Sequence, residues 1–213
     1  MLHRLAVRHL DCVAAGALRL VERIVGRGQH AADRSAVPGG FGDAVWLDFV
    51  NSALGRTPNP PDLLPDAAAF ARWAVTQRLL QVDRGPPHEA VRKLRGRLTA
   101  LAEALHAGSQ PPAGAIAAIN ELLGGCTGSH RLVRVSGEWR LHFVPARPLS
   151  PLEAIARSAA ATLADRSVVV RHCAGEGCSL FFADSSPTRS RRWCSPTACG
   201  ANLRVERRRG LLR

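Results

Sequence analysis

Residues 173–199 read CAGEGCSLFFADSSPTRSRRWCSPTAC, a stretch in which four cysteines form two Cys-x4-Cys pairs separated by fifteen residues. Thiolates are strong ligands for a tetrahedral cation, and two close pairs joined by a hairpin-length spacer can bring four sulfurs to one centre. The spacing therefore predicts one structural Zn²⁺ ion, with the ligand set Cys173, Cys178, Cys194 and Cys199.

The two cysteine pairs differ in their local chemistry. Within the first pair, Gly175 and Gly177 allow a tight turn that points both sulfurs inward. Ser195 followed by Pro196 is typical of a helix start, so Cys199 should lie in the first turn of a helix. A knuckle, a short hairpin and a second knuckle at a helix start indicate a treble-clef-like plan.

Two other interpretations of the cysteines stay open, namely disulfides or thiols that lie unconnected in a core. Residues 1–30 are amphipathic, and Asp11, Arg19 and Glu22 interrupt any signal-like apolar stretch. Because this segment does not support export, we expect a reducing, cytoplasmic environment, where disulfides are rare.

A catalytic role for the metal is disfavoured by the ligand set. A catalytic zinc ion needs an open coordination position, and its ligands usually include His or a carboxylate. His172 adjoins Cys173, but four thiolates already fill a tetrahedron. Since the chain shows no Ser-His-Asp, phosphate-loop or dinucleotide-binding pattern, we expect a protein that is not an enzyme.

Positive charge is concentrated in the cysteine-rich tail. The chain has a formal net charge of +12, of which residues 166–213 carry +7 and residues 35–165 only +2. A basic patch on a small rigid scaffold attracts polyanions, and each neutralised phosphate releases counterions. The tail is therefore a candidate nucleic-acid interface, and a solvated helix face with a basic tail is the plainer alternative.

The tail is also too small to build a large core. Fewer than fifty residues follow position 165, and a core of that size is marginal without a staple. Structural zinc can supply on the order of 10 kcal/mol of coupled binding and folding energy. We therefore expect the tail to depend on the metal for its structure.

The residues before the tail predict a mainly helical domain. Residues 44–50 run or alternate apolar up to Asn51, and Asp66 is placed to cap a helix that closes near Leu80. The next helix follows Pro87 and has the clearest periodicity. Its apolar stripe consists of Val91, Leu94, Leu98, Leu101 and Leu105, and the basic residues expected largely off that stripe, on a wet face, are Arg92, Lys93, Arg95 and Arg97.

Further elements lead toward the tail. A helix should follow Pro112 and stop at Gly124, and residues 131–144 read as a β-hairpin with its turn at 136–138. Ser150 to Glu153 form a capping box with proline at the first helical position. The chain is thus predicted to be α+β, with an amphipathic extension (1–35), a helical domain with a hairpin (36–165) and a zinc-finger domain with a basic tail (166–213).

The tail resembles the CGNR-type zinc finger. The similarity is carried by LFFADSS at 180–186, RRWCS at 191–195 and Cys199-Gly200. After that glycine the family shows Asn-Arg, whereas this chain reads Ala-Asn-Leu-Arg at 201–204. The asparagine is thus displaced by one residue, and on a helix such a shift rotates a side chain by about 100°.

The preceding domain resembles the ABATE domain, which commonly precedes that finger. The similarity is carried by VWLDFVN at 45–51, DLL at 62–64 and Trp73, and the two resemblances together cover roughly residues 41–209. They imply a bacterial one-component transcription regulator, with a ligand- or stress-sensing N-terminal domain and a DNA-binding finger.

The resemblance and the charge distribution together suggest which residues contact DNA. Arginine suits this role because its planar fork binds phosphate or guanine through two hydrogen bonds. The candidates are Arg189, Arg191, Arg192, Asn202, Arg204, Arg207, Arg208 and Arg209.

Candidates to line a sensor pocket are Trp46, Asp48, Asn51 and Trp73, with Arg147 as an anion partner. The alternative for these residues is an aromatic core with a turn-forming Asp and Asn.

The expected partners are DNA, a small-molecule effector and a second copy of the chain, because many repressors read paired half-sites as dimers. A membrane is not among them, since no apolar run is long enough to span a bilayer. The rival interpretation is a zinc-stabilised module that binds RNA or a protein without operator specificity, because a fold does not determine a function.

Overall fold

The computed structural model describes residues 44–57, 59–79, 85–135 and 137–200. Within these ranges the chain forms five helices and four short strands, so the predicted α+β class is confirmed. In chain order they are α1 Val45–Asn51, α2 Ala67–Thr76, α3 His88–His106, α4 Ala113–Gly124, β1 Gly128–Val135, β2 Glu138–Pro145, α5 Pro151–Ala164, β3 Val169–His172 and β4 Phe181–Asp184. None of these helices combines the length and the apolar character needed to cross a bilayer. The predicted extension at 1–35 lies outside the described residues.

Helix α1 lies in the middle of the main core. Trp46, Leu47, Phe49 and Val50 are all fully buried, so apolar side chains surround most of the helix. A helix of seven residues, most of them buried, is too short to show a helical periodicity, which is why its sequence reads only as an apolar run.

Helix α2 begins where the sequence predicts but ends earlier. Asp66 adopts an extended conformation and accepts a hydrogen bond at Oδ1 from the N–H of Ala69 at 2.7 Å. The helix ends at Thr76 rather than near Leu80, and Arg78 then takes a left-handed conformation with φ of 59°. Such a residue cannot continue a right-handed helix.

Helix α3 has the predicted apolar stripe, but the prediction of a wet face for Arg95 was wrong. Its side chain is 9% exposed and forms a two-point ion pair with Asp62, with N–O distances of 2.7 and 2.5 Å. Another hydrogen bond of 3.0 Å joins Arg95 to Ser52 Oγ. Arg95 follows Val91 by four positions, so the two side chains share one face of the helix.

The helix after Pro112, the hairpin and the capping box are confirmed. At the start of α5, Ser150 Oγ accepts from the N–H of Glu153 at 3.3 Å, and Glu153 Oε2 accepts from the N–H of Ser150 at 2.7 Å. In the hairpin, Trp139 is 68% exposed.

Strands β3 and β4 pair antiparallel, with His172 opposite Phe181. Cys173 and Cys178 therefore lie in the connection between the two strands. This differs from the predicted plan, in which a hairpin lay between the two cysteine pairs. The strand-forming residues flank the first pair because Val168 to Val170 precede it and Phe181 and Phe182 follow it.

Both faces of β4 are buried, and each face belongs to a different cluster. Phe181 and Ala183 pack with Val170 into the main cluster of helix side chains, here called the helical core. Phe182 packs with Leu180 and the four cysteines into a second cluster, here called the cysteine core. One strand thus contributes to two cores, because side chains alternate between its faces.

Candidate metal centre and adjoining cleft

Four buried thiols meet in the cysteine core, and the Sγ atoms of Cys173, Cys178, Cys194 and Cys199 all lie within 4.8 Å of one another. Cys194 Sγ is 3.6 Å from that of Cys199 and 3.9 Å from that of Cys178. Zinc–sulfur bonds of about 2.3 Å at tetrahedral angles place sulfurs about 3.8 Å apart, so this donor set fits zinc. All four thiols are free, at separations far beyond a disulfide bond of about 2.05 Å.

Local turns hold the first cysteine pair. The N–H of Cys178 donates to the carbonyl of Gly175 at 3.0 Å, and Gly177 adopts a positive φ of 68°. A Cβ on Gly175 would lie 3.1 Å from Cys199 Cβ, so a side chain there would crowd the thiols. The predicted role of the glycines in this turn agrees with these contacts.

The second pair is held by the predicted cap. Ser195 Oγ accepts from the N–H of Ala198 at 3.2 Å, and the carbonyl of Ser195 accepts from the N–H of Cys199 at 3.1 Å. Cys199 therefore sits where a helix begins. The continuation through Asn202 lies outside the described residues.

The thiols of this cluster do not lose their protons equally easily. Burial raises the pKa of the Cys178 thiol to about 11, and burial with the nearby cysteine charges raises that of Cys194. Burial acts the same way on Cys173, but N–H groups of Cys194 and Gly175, each 3.4 Å from its sulfur, lower its pKa. A divalent cation stabilises deprotonated sulfur, so bound zinc would supply a structural cross-link between the two pairs.

Two arginines of this segment are used internally. The Arg191 guanidinium donates to the carbonyls of Trp193 at 2.8 Å and Cys194 at 2.5 Å, and lies 4.5 Å from the centre of the Phe182 ring. Arg171 Nε donates at 3.0 Å to Asp184, whose side chain is fully buried. Arg191, a predicted DNA contact, thus supports the second cysteine pair, and its backbone N–H also donates to Asp184 Oδ2 at 3.1 Å.

Two of the predicted DNA contacts are exposed in the described residues. Arg189 is exposed and has a left-handed φ of 48°, and Arg192 is exposed with its guanidinium 5.6 Å from the Trp193 ring. The remaining candidates, Asn202, Arg204, Arg207, Arg208 and Arg209, lie outside the described residues.

A cleft of about 270 Å³ adjoins the cysteine core. Three of the predicted pocket residues line it, Asp48, Asn51 and Trp73, together with Arg56 and Leu180. Leu180 belongs to the cysteine core, so the cleft lies where helix α1 and its following loop meet that core.

The other two predicted pocket residues lie elsewhere. Trp46 is fully buried in the helical core and donates from Nε1 to Thr162 Oγ1 at 2.9 Å. Arg147 forms a two-point ion pair with Glu153, at 2.8 and 2.6 Å. Neither residue lines the cleft. Aromatic and arginine side chains suit a ligand pocket, but they also suit a core and an ion pair, so their residue types alone do not distinguish these places.

No pattern in the sequence pointed to the loop after α1, which contacts the candidate metal centre. Arg56 Nη2 lies 3.9 Å from Cys194 Sγ. Burial alone would lower the pKa of Arg56, but its hydrogen bond to Cys194 and the charges of the neighbouring cysteines raise that pKa. Beside it, Gly55 and Ser179 exchange hydrogen bonds, with the Ser179 N–H 2.8 Å from the Gly55 carbonyl.

Residues 43–166 match the family model ABATE, described as "Putative stress-induced transcription regulator". The chain belongs to the ABATE family. Residues 170–210 match the model of the CGNR zinc finger, so both resemblances seen in the sequence are confirmed. We call these segments the ABATE domain and the CGNR finger. The two families are of regulator and zinc-finger type, not enzymes. No curated protein matches the chain.

Proposed function

We propose that this protein is a cytoplasmic DNA-binding transcription regulator, in which one structural zinc ion organises the CGNR finger and the ABATE domain senses a small molecule. The observation that supports it most is the cluster of four buried thiols joined to a strongly basic segment. Residues 166–213 carry a net charge of +7. A rigid cationic surface is what sequence-independent binding to phosphates requires.

Arg189 and Arg192 are the described arginines that support DNA contact, because both are exposed on the CGNR finger. The residues that follow add five arginines and one glutamate between positions 201 and 213. Phosphate contacts by these side chains would position the finger, and contacts to base edges would provide sequence preference.

The cleft supports the sensing part of the proposal. It is lined by residues of the ABATE domain and by Leu180 of the CGNR finger. A ligand can change DNA affinity only when it binds two arrangements of the protein unequally. An effector in this cleft would touch both domains, so it could favour one arrangement of the finger over another.

The first test measures binding of the full chain to a labelled random duplex, and to RNA of the same length, over a range of salt concentrations. We expect DNA affinity to fall as salt rises, with a logarithmic slope of about −0.9 for each phosphate contacted. Arg192→Gln should reduce that slope by about 1, whereas Arg92→Gln, at an exposed position of α3, should leave it unchanged.

Cys178→Ser tests the role of the metal in the same assay, since it removes one of the four ligands and should abolish DNA binding. Binding to RNA alone, or to neither nucleic acid, would favour the zinc-stabilised RNA- or protein-binding module instead.

Sedimentation of the complex tests the proposed homodimer. Elemental analysis of reduced protein tests the proposed single zinc ion, and a chain without bound metal would contradict the proposal.

A further inference from the structure

We propose that Arg56, a residue of the ABATE domain, is an outer partner of the metal centre in the CGNR finger, so that the metal affinity of the finger depends on its contact with the ABATE domain. This goes beyond DNA binding and does not rest on it. The contact that carries it joins Arg56 Nη2 to Cys194 Sγ across 3.9 Å, between residues 138 positions apart.

The position of Cys194 makes this contact matter for the whole centre. Its sulfur lies 3.6 Å from that of Cys199 and 3.9 Å from that of Cys178, so a charge beside it acts on several ligands at once. The N–H groups that approach Cys173 come from the finger's own backbone. Arg56 instead brings a full positive charge from another domain.

Charge balance gives the contact its effect. Four thiolates outweigh the charge of one divalent ion, so a loaded centre carries excess negative charge in a buried site. A guanidinium beside a thiolate offsets that excess and is itself stabilised by it. Groups that hydrogen-bond to metal ligands typically change metal affinity by about ten- to hundredfold when removed.

The loop that carries Arg56 is fixed next to a metal ligand. The N–H of Gly55 donates to Ser179 Oγ at 3.1 Å, and the N–H of Ser179 donates to the Gly55 carbonyl at 2.8 Å. Ser179 directly follows the ligand Cys178. Leu54 also packs against the cysteine core. Backbone contacts of the loop therefore hold Arg56 in place, so the position of the Arg56 side chain does not depend on the metal alone.

Coupling of this kind is reciprocal. If the seated ABATE domain raises metal affinity through Arg56, then loss of the metal must weaken the seating of the loop at residues 54–56. Arg56 also lines the cleft, so a molecule bound there would be sensed at the metal centre as well.

The experiment measures the Zn²⁺ affinity of the full-length reduced protein by competition with a chromogenic chelator. Arg56→Gln should weaken affinity about ten- to hundredfold, and Arg56→Lys, which keeps the charge, should recover part of the loss. Arg92→Gln is the control for removal of an arginine, and Ser179→Ala tests the loop contact without changing a charge. With Co²⁺ in place of zinc, the sulfur-to-metal charge-transfer band should shift in Arg56→Gln and not in Ser179→Ala.

Three results would overturn the proposal. The first is an Arg56→Gln affinity within twofold of wild type. The second is an equal loss in Arg56→Gln, Arg56→Lys and Ser179→Ala, which would mean that Arg56 only holds the loop. The third needs no variant: hydrogen exchange at the Gly55 amide that is unchanged by zinc removal would show that loop and metal are uncoupled. Metal affinity is read without DNA, so failure here and failure of the DNA-binding proposal are separate outcomes.

Discussion

Asn51 binds the backbone of Phe181 through both ends of its amide group. Its Nδ2 donates to the carbonyl oxygen at 2.8 Å, and its Oδ1 accepts from the N–H at 2.9 Å. Asn51 is the last residue of α1 and Phe181 is the first of β4. Since both residues are buried, this amide takes the place of a neighbouring strand and joins the ABATE domain to the CGNR finger.

Replacing that amide should destabilise the whole chain. Asn51→Ala would leave the N–H and the carbonyl of Phe181 buried without these partners, which should lower the free energy of unfolding by about 1–3 kcal/mol. Urea denaturation at constant zinc measures the change. Asn120→Ala, at an exposed position of α4, is the control and should stay within about 0.5 kcal/mol of wild type. Equal effects of the two substitutions would show that the joint contributes no stability.

Breaking the ion pair between Arg95 and Asp62 should cost a different amount of stability depending on which partner is replaced. The Arg95 side chain is 9% exposed and that of Asp62 is 39% exposed. Asp62→Asn would leave a buried guanidinium without its charge partner, whereas Arg95→Met would leave a carboxylate that water can reach. We expect Asp62→Asn to lower the free energy of unfolding by about 1–3 kcal/mol, and Arg95→Met to cost less. Thermal denaturation of both variants measures the two losses of stability. A larger loss in Arg95→Met than in Asp62→Asn would contradict the argument from burial.

Glu153 should contribute stability that is lost in acid. Hydrogen bonds from Arg147 lower the pKa of Glu153 to about 2, against a usual value of 4.5. Because the folded-state pKa is the lower one, its contribution is complete above about pH 4.5 and disappears as pH falls toward 2. Half-exposure of Arg147 screens the pair, so we expect about 1 kcal/mol.

The measurement compares urea unfolding of wild type and Glu153→Gln at several pH values. The stability difference between them should shrink between pH 4.5 and 2 and be constant from pH 6 to 8. A difference that does not change with pH would show that the glutamate acts through its cap to Ser150 rather than through its charge.

Two glycine-to-alanine substitutions should change the stability of the protein in opposite directions. A Cβ on Gly55 would lie 2.3 Å from Pro60 Cβ, so Gly55→Ala must displace the loop that contacts Ser179, at a cost of about 1–3 kcal/mol. Gly96 lies within α3 with no atom within 4 Å of an added Cβ, so Gly96→Ala should stabilise by about 0.5–1 kcal/mol. Melting temperatures of the two variants are the readout, and a neutral Gly55→Ala would mean that the loop adapts.

The sequence predicted the features that depend on local pattern. Cysteine spacing predicted which four thiols meet, and serine followed by proline predicted two helix starts, at Ser150 and Ser195. Apolar periodicity gave helix α3 because one face of that helix is wet. Helix α1 gave no such pattern, since its residues are buried on nearly all sides.

The features that the sequence did not predict depend on contacts between distant residues. Arg95 is buried because Asp62, 33 positions away, meets it. Arg191 is turned inward by the carbonyls of its own loop, and Arg56 reaches a thiol 138 positions away. A charged residue in a sequence does not reveal whether it faces water or a partner.

Strand β4 has a consequence for engineering. On one face of this strand, Phe181 and Ala183 pack against helices of the ABATE domain. On the other face, the strand packs against the cysteines. Grafting this finger onto an unrelated regulator would therefore uncover two apolar side chains and invite aggregation. A working chimera would have to transplant helix α1 as well, or replace Phe181 and Ala183 by polar residues.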